Sequence, residues 1–429
     1  MSAVAEESLG ALLWRLWRDP AAWTTTTDIF IILIALSLPW STSLVAIFAV
    51  AALVTMVPFF DAKTFLQSLK RPVSVLPVAL FALALVGTLW SDAPWGARLY
   101  AVGPTAKLLM LPVLFYHFER SGRGLWVFVA FVVSCTLLMA MSWIVAFYPT
   151  LSLKTFDPQR GIFVKNYIDQ SQEFTLCAVA LGYPVITLLR ARRIWLASLL
   201  GAIALSLVVN MAFVIVSRTA MVTMPIMLAV FALLHLKWRT NVIISCAVMA
   251  LAMLAWVASP QLRGTTETFS RDYQLYKENN TPTSIGLRLE YWQKSLRLSA
   301  EAPVIGHGTG STRGLFEQAA VGQVGAAADV VGNPHNQTLN IAVQWGVVGV
   351  VALYTMWLAH LLLFRGEGLA AWIGLLIVVQ NIFTSLFNSH LFDFHEGWMY
   401  VLGVGVAGGM VLSRELNEAT PGPGSLARS

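Results

Sequence analysis

Long apolar stretches recur along the chain, and they constrain its fold more than any other feature. Hydrophobic residues make up 57% of the 429 residues and charged residues only 12%, whereas charged residues are about 25% of a typical soluble domain. A membrane-spanning helix needs about 20 mainly apolar residues. We therefore predict an all-α, polytopic membrane protein with about 12 transmembrane helices. The candidate segments are 28–40, 43–60, 73–90, 101–117, 124–147, 173–190, 194–216, 218–236, 240–257, 336–364, 369–388 and 395–413.

The distribution of Lys and Arg predicts how these helices are oriented. With the N-terminus in the cytoplasm, the short outer loops 40–42 and 389–394 hold no Lys or Arg. Basic residues are then concentrated in the short cytoplasmic segments, as the positive-inside rule requires. Both termini are therefore predicted to be cytoplasmic. The cytoplasmic basic residues are Lys63, Lys70, Arg71, Arg120, Arg123, Arg190, Arg192, Arg193, Lys237, Arg239 and Arg365.

The predicted spans divide the chain into five parts. Leu9, Leu12, Leu13 and Leu16 recur at helical spacing in the first part, which indicates a helix on the membrane surface or, alternatively, a frayed leader. The parts are a cytoplasmic N-terminal interfacial segment (1–27), spans one to nine (28–257), a large periplasmic loop (258–334), spans ten to twelve (335–413) and a cytoplasmic tail (414–429).

Two outer segments carry cations that the positive-inside rule does not explain. The loop 148–172 contains Arg160 and Lys165, and the large loop 258–334 contains several arginines and lysines. Long loops are translocated regardless of charge, so the predicted orientation stands. Cations at this face indicate an anionic ligand or, alternatively, anionic lipid headgroups.

The large loop contains a predicted amphipathic helix. Thr283 or Ser284 suits its N-cap, and Arg288 borders the apolar stripe that begins at Ile285. Glu290 and Lys294 have the spacing of an i,i+4 ion pair. The glycines of 306–310 predict a turn that ends the helix, and residues 314–333 predict a mobile flap or a disordered loop.

The sequence contains no pattern typical of a metal or cofactor site. The three cysteines, Cys135, Cys177 and Cys246, lie within apolar stretches without metal-ligand spacing and are interpreted as packing residues. The outer loops contain no Asp-x-Asp pair of the kind that binds a divalent ion for a nucleotide sugar. No cofactor, no metal and no nucleic-acid partner is expected.

One stretch at a loop-to-helix junction resembles the signature of the bacterial O-antigen ligases. His335 and Asn336 are followed by nine residues, then Gly346, two residues and Gly349. Trp90-Ser91-Asp92, Ser217-Arg218-Thr219-Ala220 and the segment from Ser284 to Gly310 are similar to other elements of that family in order and placement. The family forms a superfamily with the O-antigen polymerases and the protein O-oligosaccharyltransferases.

The resemblance implies a GT-C-type membrane glycosyltransferase in the bacterial inner membrane, with its active site on the periplasmic face. Such an enzyme transfers O-antigen polysaccharide from undecaprenyl pyrophosphate to a sugar hydroxyl of lipid A-core. The reaction inverts the anomeric centre and is independent of metal and nucleotide sugar. The expected partners are therefore the lipid-linked glycan donor, the lipid A-core acceptor and membrane lipids.

The residues with suitable chemistry agree with this expectation. His335 is the candidate general base, because a neutral imidazole accepts a proton at physiological pH; a helix-capping or lipid-interface histidine is the alternative. Arg218 and Arg288 are candidates to bind the pyrophosphate, since a guanidinium matches phosphate oxygens; snorkelling to headgroups is the alternative for Arg218. Further substrate-binding candidates are Arg160, Lys165 and Asn336. The outer-face acids Asp169, Glu173, Asp393 and Glu396 are alternative bases.

Three other functions remain open at this point. An O-antigen polymerase of the same superfamily is the nearest. A protein O-oligosaccharyltransferase usually has a further large soluble C-terminal portion, whereas this sequence continues for only 16 residues after the last predicted span. A membrane transporter is less favoured, because no internal repeat is found and the charged residues lie toward the outer face.

Overall fold

The computed structural model describes residues 19–153, 161–235 and 237–419. Within these residues the chain forms α-helices and short 3-10 turns, and no β-strand is present. The predicted surface helix around Leu9–Leu16, the candidate Arg160 and the end of the predicted tail lie outside the described residues. The α-helices are α1 Pro20–Ser37, α2 Thr42–Met56, α3 Ala62–Ser68, α4 Pro72–Val86, α5 Trp95–Ala106, α6 Met110–Phe118, α7 Gly124–Phe147, α8 Tyr167–Ala180, α9 Gly182–Arg190, α10 Ile194–Phe213, α11 Arg218–His235, α12 Trp238–Ala258, α13 Pro260–Asn279, α14 Ser284–Glu301, α15 Thr312–Ala320, α16 Gln337–Leu363, α17 Leu369–Thr384 and α18 Phe394–Ala419.

The helices confirm a multi-pass membrane protein. Among the described residues, eight helices are long and apolar enough to cross a bilayer, or nine if α3 and α4, which meet at a bend of 89°, form one broken span. Two shorter apolar helices cover Arg218–Leu234 and Leu369–Thr384. Each of the twelve predicted segments overlaps a helix, but the count of twelve spans and the GT-C architecture stay predictions.

The first helix begins earlier than the sequence suggested. It starts at Pro20, inside the segment assigned to the membrane surface, and Asp19 caps it by accepting a hydrogen bond from the backbone N–H of Ala21 at 2.9 Å. The four threonines 24–27 lie within this helix, where each hydroxyl is satisfied by donating to the carbonyl four residues before it. The predicted break before α2 is confirmed, and Ser41 is the N-cap there.

The two last helices form the centre of the bundle. The helix α18 packs against α6 and α17, and α16 packs against α4. Large side chains such as Trp345, Tyr400 and Phe115 are fully buried in the resulting core. The loop helix α14 packs on α16, so the large loop is joined directly to the central helices.

The large loop is more helical than predicted. The expected helix is present as α14, with Thr283 as its N-cap, and the glycine-rich turn follows it. However, the sequence missed α13. The alternative of a disordered loop at 314–333 is wrong, since these residues include most of α15 and a 3-10 turn at Gly325–Ala328, and the mobile flap stays a prediction.

The predicted ion pair within α14 is wrong. Glu290 instead accepts a hydrogen bond from the Tyr276 hydroxyl at 2.7 Å. Lys294 donates to the carbonyls of Ala327 at 2.5 Å and Asp329 at 3.1 Å. Both side chains therefore hydrogen-bond to residues outside α14 and not to each other. These bonds attach α14 to the neighbouring segments of the loop.

The turn after α14 is bound to a kink in α16. Gly346 has a φ of 57°, which interrupts the helix. The freed backbone N–H of Val347 donates to the carbonyl of Pro303 at 2.8 Å. From the turn, the N–H of Gly308 donates to the carbonyl of Gln344 at 2.8 Å. The two segments are thus hydrogen-bonded backbone to backbone, which positions α14 beside the start of α16.

Candidate active site

The loop before α16 ends in a turn that holds His335 at the start of the helix. His335 has a left-handed φ of 53°, and its backbone N–H donates to Asn333 Oδ1 at 3.0 Å. Asn336 is the N-cap, and its Oδ1 accepts from the N–H of Leu339 at 3.1 Å. Asn336 Nδ2 also donates to the carbonyl of Leu386, at 3.2 Å. The position of His335 is therefore set by both α16 and the segment after α17.

The imidazole of His335 is oriented by an amide. Its Nδ1 donates to Asn388 Oδ1 at 2.8 Å, and Asn388 Nδ2 donates to Asp393 Oδ2 at 2.6 Å. The ring of Tyr291 lies beside the imidazole, with 5.8 Å between the ring centroids. Because an amide oxygen only accepts, Nδ1 carries the proton and Nε2 keeps its lone pair. Nε2 is thus the atom able to act as a base.

The surroundings keep His335 neutral. Burial lowers the pKa of His335, the hydrogen bond to Asn388 raises it in part, and the nearby Arg288 lowers it further. Burial raises the pKa of Asp393 to about 7, against the opposing effect of Lys107. At neutral pH the imidazole is therefore free to accept a proton.

Arg218 and Arg288 lie together at the wall of a polar cavity of about 340 Å³. Arg218 begins α11, and its Nη2 lies 3.2 Å from Asp272 Oδ2 of α13. Arg288 extends from α14, and burial, together with the neighbouring Arg218, lowers the pKa of its guanidinium. Ser217 lines the same cavity, and its buried hydroxyl has no hydrogen-bond partner among the described residues. The cavity therefore presents two cations and a hydroxyl to an anion.

A second cavity, of about 380 Å³, adjoins the first and is mainly apolar. Arg218 and Arg288 line both cavities. Phe387, the neighbour of Asn388 in the chain, also lines the apolar cavity, so the segment that orients His335 is part of its wall. The other apolar residues of the wall are Met221, Val222, Phe269, Ile285, Leu289 and Trp292.

The structure brings three of the candidate residues into one region and assigns the others different contacts. Arg218 and Arg288 line both cavities. Arg288 is also close enough to His335 to lower the pKa of that imidazole. Asn336 is buried, and both atoms of its amide are used to hold the start of α16. Lys165 is buried, donates to the carbonyl of Leu38 and pairs with Glu173 at 3.3 Å.

The outer-face acids have separate contacts. Asp169 accepts a hydrogen bond from His395 Nδ1 at 2.6 Å. Glu173 is buried beside Lys165. Asp393 is linked to His335 only through Asn388. Of these acids, Asp393 has the contact that most directly supports His335.

Sequence reasoning missed Asn388 and Tyr291. Asn388 lies in the short segment between α17 and α18, where polar residues interrupt two apolar stretches. That interruption was a usable signal, but the acids of the same region, Asp393 and Glu396, are the more obvious candidates in the sequence. Tyr291 had no signal, because an aromatic residue three positions after Arg288 is ordinary in an amphipathic helix.

The fold and this site define a multi-pass helical membrane protein with a basic, half-enclosed site at one end of its bundle. Residues 203–354 match the family model described as O-antigen ligase. The match supports membership of the O-antigen ligase and polymerase family, and it includes Arg218, Arg288 and His335. Asn388 and Asp393 lie beyond the matched residues.

A similar protein is found in Haemophilus influenzae (strain Rd), where it is described as an uncharacterized protein. It is 27% identical over 174 residues, which cover 39% of this chain and 43% of that protein. The chain thus matches less than half of the length of this relative, which adds no assignment of activity.

Proposed function

We propose that this protein is an O-antigen ligase, which transfers O-antigen polysaccharide from undecaprenyl pyrophosphate to a sugar hydroxyl of lipid A-core. The observation that carries the proposal is a neutral, oriented His335 near Arg288, which together with Arg218 lines adjoining polar and apolar cavities. This arrangement matches a substrate that joins a sugar, a pyrophosphate and a long prenyl chain. The reaction takes place on the periplasmic face of the inner membrane.

His335 activates the acceptor. Its Nε2 takes the proton of the acceptor hydroxyl while the hydroxyl oxygen attacks the anomeric carbon of the donor sugar. The bond between that carbon and the pyrophosphate oxygen breaks, and its electron pair leaves with undecaprenyl pyrophosphate. A single displacement of this kind inverts the anomeric centre.

Arg218 and Arg288 stabilise the leaving group. Guanidinium groups held in place beside the phosphate oxygens are already oriented when negative charge accumulates on the pyrophosphate. The polar cavity suits the pyrophosphate, with the Ser217 hydroxyl as a further donor. The adjoining apolar cavity suits the first prenyl units.

The experiment is reconstitution of the purified protein with lipid-linked glycan and lipid A-core. Glycosylated lipid A-core is the expected product. Removing the base, in His335→Ala, is expected to reduce the rate of transfer by about 10² to 10⁴-fold. Removing an arginine that stabilises the leaving group, in Arg218→Ala or Arg288→Ala, is expected to reduce it by about 10² to 10³-fold. Arg313→Ala is the matched control, since Arg313 lies in the large loop with Arg288 but has 73% of its side chain exposed. It is expected to transfer glycan at the rate of the wild type.

Two outcomes would contradict the proposal. Normal transfer by His335→Ala would remove the catalytic assignment, and loss of transfer in excess chelator would show that a metal ion is required.

A polymerase is the second candidate, because the family match supports both functions. Offering a second lipid-linked glycan in place of lipid A-core distinguishes them, since a polymerase extends that glycan and a ligase does not.

A further inference from the structure

A separate cavity of about 590 Å³ lies at the other end of the helix bundle from His335. It is lined by the C-terminal end of α16, the start of α17 and the end of α9. His335 directly precedes α16, whose 27 residues separate the two ends by about 40 Å. The cavity is therefore independent of the proposed catalytic reaction.

Positively charged side chains surround the opening of this cavity. Arg190 and Arg365 line it, and both are exposed. Arg414 lies here too, beside the lining residue Gly368, which has a φ of 105°. A Cβ added to Gly368 would lie only 2.6 Å from Arg414 Nη1. Glu367 is the acidic group of the lining. Three guanidiniums against one carboxylate leave the opening positively charged.

Two of these arginines have no carboxylate of their own. The described arginines that form ion pairs are Arg71, Arg123, Arg218 and Arg313. Arg190 and Arg365 have no such partner within the described part of the chain. A guanidinium pair beside a cavity is suited to phosphate oxygens, which it binds in a bidentate manner.

The deeper wall of the cavity is apolar. Ile186, Leu361, Phe364, Trp372 and Leu375 form it. Phe364 directly follows α16, and the others lie in α9, α16 and α17. A free phosphate ion would leave these side chains uncovered. A molecule with an anionic head and a hydrocarbon tail satisfies both parts of the cavity.

We propose that this cavity binds one anionic phospholipid, with its headgroup phosphate between Arg190 and Arg365 and an acyl chain along the wall formed by Leu361, Phe364 and Trp372. The site retains a lipid of the leaflet opposite the catalytic end. It holds α9, α16 and α17 together where these helices meet.

The test is native mass spectrometry of the purified full-length protein, titrated separately with phosphatidylglycerol, phosphatidylcholine and inorganic phosphate. The wild type is expected to retain one phosphatidylglycerol in preference to phosphatidylcholine. Arg190→Ala with Arg365→Ala is expected to weaken that retention by about tenfold or more. Arg190→Lys with Arg365→Lys is expected to restore part of it, and Glu367→Gln to strengthen it.

Lys63→Ala with Lys70→Ala is the matched control, because it also removes two exposed cations at this end of the bundle. A thermal unfolding curve in detergent shows that each variant is folded. Unchanged phosphatidylglycerol retention by the double arginine variant would overturn the proposal. Equal retention of phosphatidylcholine by the wild type, or binding of inorganic phosphate as tight as that of the lipid, would also overturn it.

Discussion

The proton on Nδ1 of His335 decides whether this residue is able to serve as a base. Asn388 Oδ1 accepts a hydrogen bond of 2.8 Å from this Nδ1–H, which leaves the Nε2 lone pair available. Asn388 is in turn oriented by Asp393. A histidine with both nitrogens unconstrained would spend part of its time in the wrong tautomer, so Asn388 acts as a positioning residue for the proposed reaction.

Two single substitutions are expected to move the pH dependence of transfer in opposite directions. Activity falls as the pH drops through the pKa of His335, because the protonated imidazole cannot accept a proton. Asn388→Leu removes the hydrogen bond that raises this pKa, so the acidic limb of the kcat–pH profile, where activity falls, moves to lower pH. Arg288→Gln removes a cation that lowers it, so the limb moves to higher pH. The measurement is kcat against pH for each variant.

Both variants are also expected to have a lower maximal kcat. Only a shift of the acidic side of the kcat–pH profile shows that the pKa of His335 has changed. Arg313→Gln removes an exposed cation of the same loop that is not among the groups shifting the pKa of His335. It serves as the control and is expected to keep the pH profile of the wild type. Shifts in the same direction for Asn388→Leu and Arg288→Gln would disprove the proposed orientation of His335.

At the level of the elements, the glycines of the histidine signature are structural. Gly346 permits the kink in α16, and there the backbone of Val304 approaches so closely that a Cβ would lie 2.4 Å from its carbonyl atoms. The φ of 57° at this position also disfavours any side chain. The glycine therefore allows α14 and its turn to dock on α16, and it affects the site only through that docking.

Gly346→Ala is expected to destabilise the protein by at least about 2 kcal/mol, since the strained φ and the backbone clash add together. Gly201→Ala is the matched control, because Gly201 lies within α10 and a methyl group added there would meet nothing within 4 Å. The control is expected to unfold at the same temperature as the wild type or slightly higher. Thermal unfolding in detergent measures both, and equal Tm values for the two variants would contradict this role of Gly346.

The helix α14 connects the candidate active site to the end of the large loop. Tyr291 contacts the imidazole of His335 with its ring and donates its hydroxyl to the carboxylate of Asp329. Burial and the neighbouring Asp329 raise the pKa of Tyr291, so the hydroxyl keeps its proton. One side chain thus holds both the histidine and the segment that leads to it.

Tyr291→Phe is expected to loosen residues 325–333 while leaving the aromatic ring beside His335. Faster amide hydrogen exchange in that segment is the expected result, because the hydrogen bond to Asp329 is lost. Tyr276→Phe is the control, since it removes a comparable hydroxyl bond to Glu290 on another part of α14. Equal exchange rates at 325–333 in the wild type and in Tyr291→Phe would show that this bond does not order the loop.

At the scale of the whole molecule, the bundle has two different ends. One end carries the cavities lined by Arg218 and Arg288, and the other carries the cavity lined by Arg190 and Arg365. The positive-inside prediction assigns the first end to the periplasm and the second to the cytoplasm. The proposed ligase reaction requires that same orientation.

Single cysteines, introduced after Cys135, Cys177 and Cys246 are replaced by serine, test the orientation directly. A membrane-impermeant maleimide added to intact spheroplasts is expected to label Gly332→Cys and to leave Gly366→Cys unlabelled. Both positions are exposed, and a side chain meets no close contact at either. Permeabilised cells provide the control, in which both are labelled. The reverse pattern would place the proposed active site in the cytoplasm and contradict the ligase assignment.

Apolar stretches, basic residues and the histidine signature were enough to predict a helical membrane protein and the membership supported by the family match. They also indicated His335, Arg218 and Arg288, whose catalytic and binding roles stay predictions. These features depend on local composition and spacing, which are visible in one dimension. The start of α14, with Thr283 or Ser284 as its N-cap, and the break between the first two spans were predicted for the same reason, since capping and turn residues act locally.

Other features depend on contacts between residues far apart in the chain, and these emerged only from the folded structure. Asn388 reaches His335 across 53 residues, and Lys294 bonds to carbonyls 33 and 35 residues away instead of to Glu290. The kink at Gly346 exists because a distant turn supplies hydrogen-bond partners for the interrupted helix. Chain composition determines which segments enter the membrane, but packing and the need to satisfy buried polar groups decide which side chains meet.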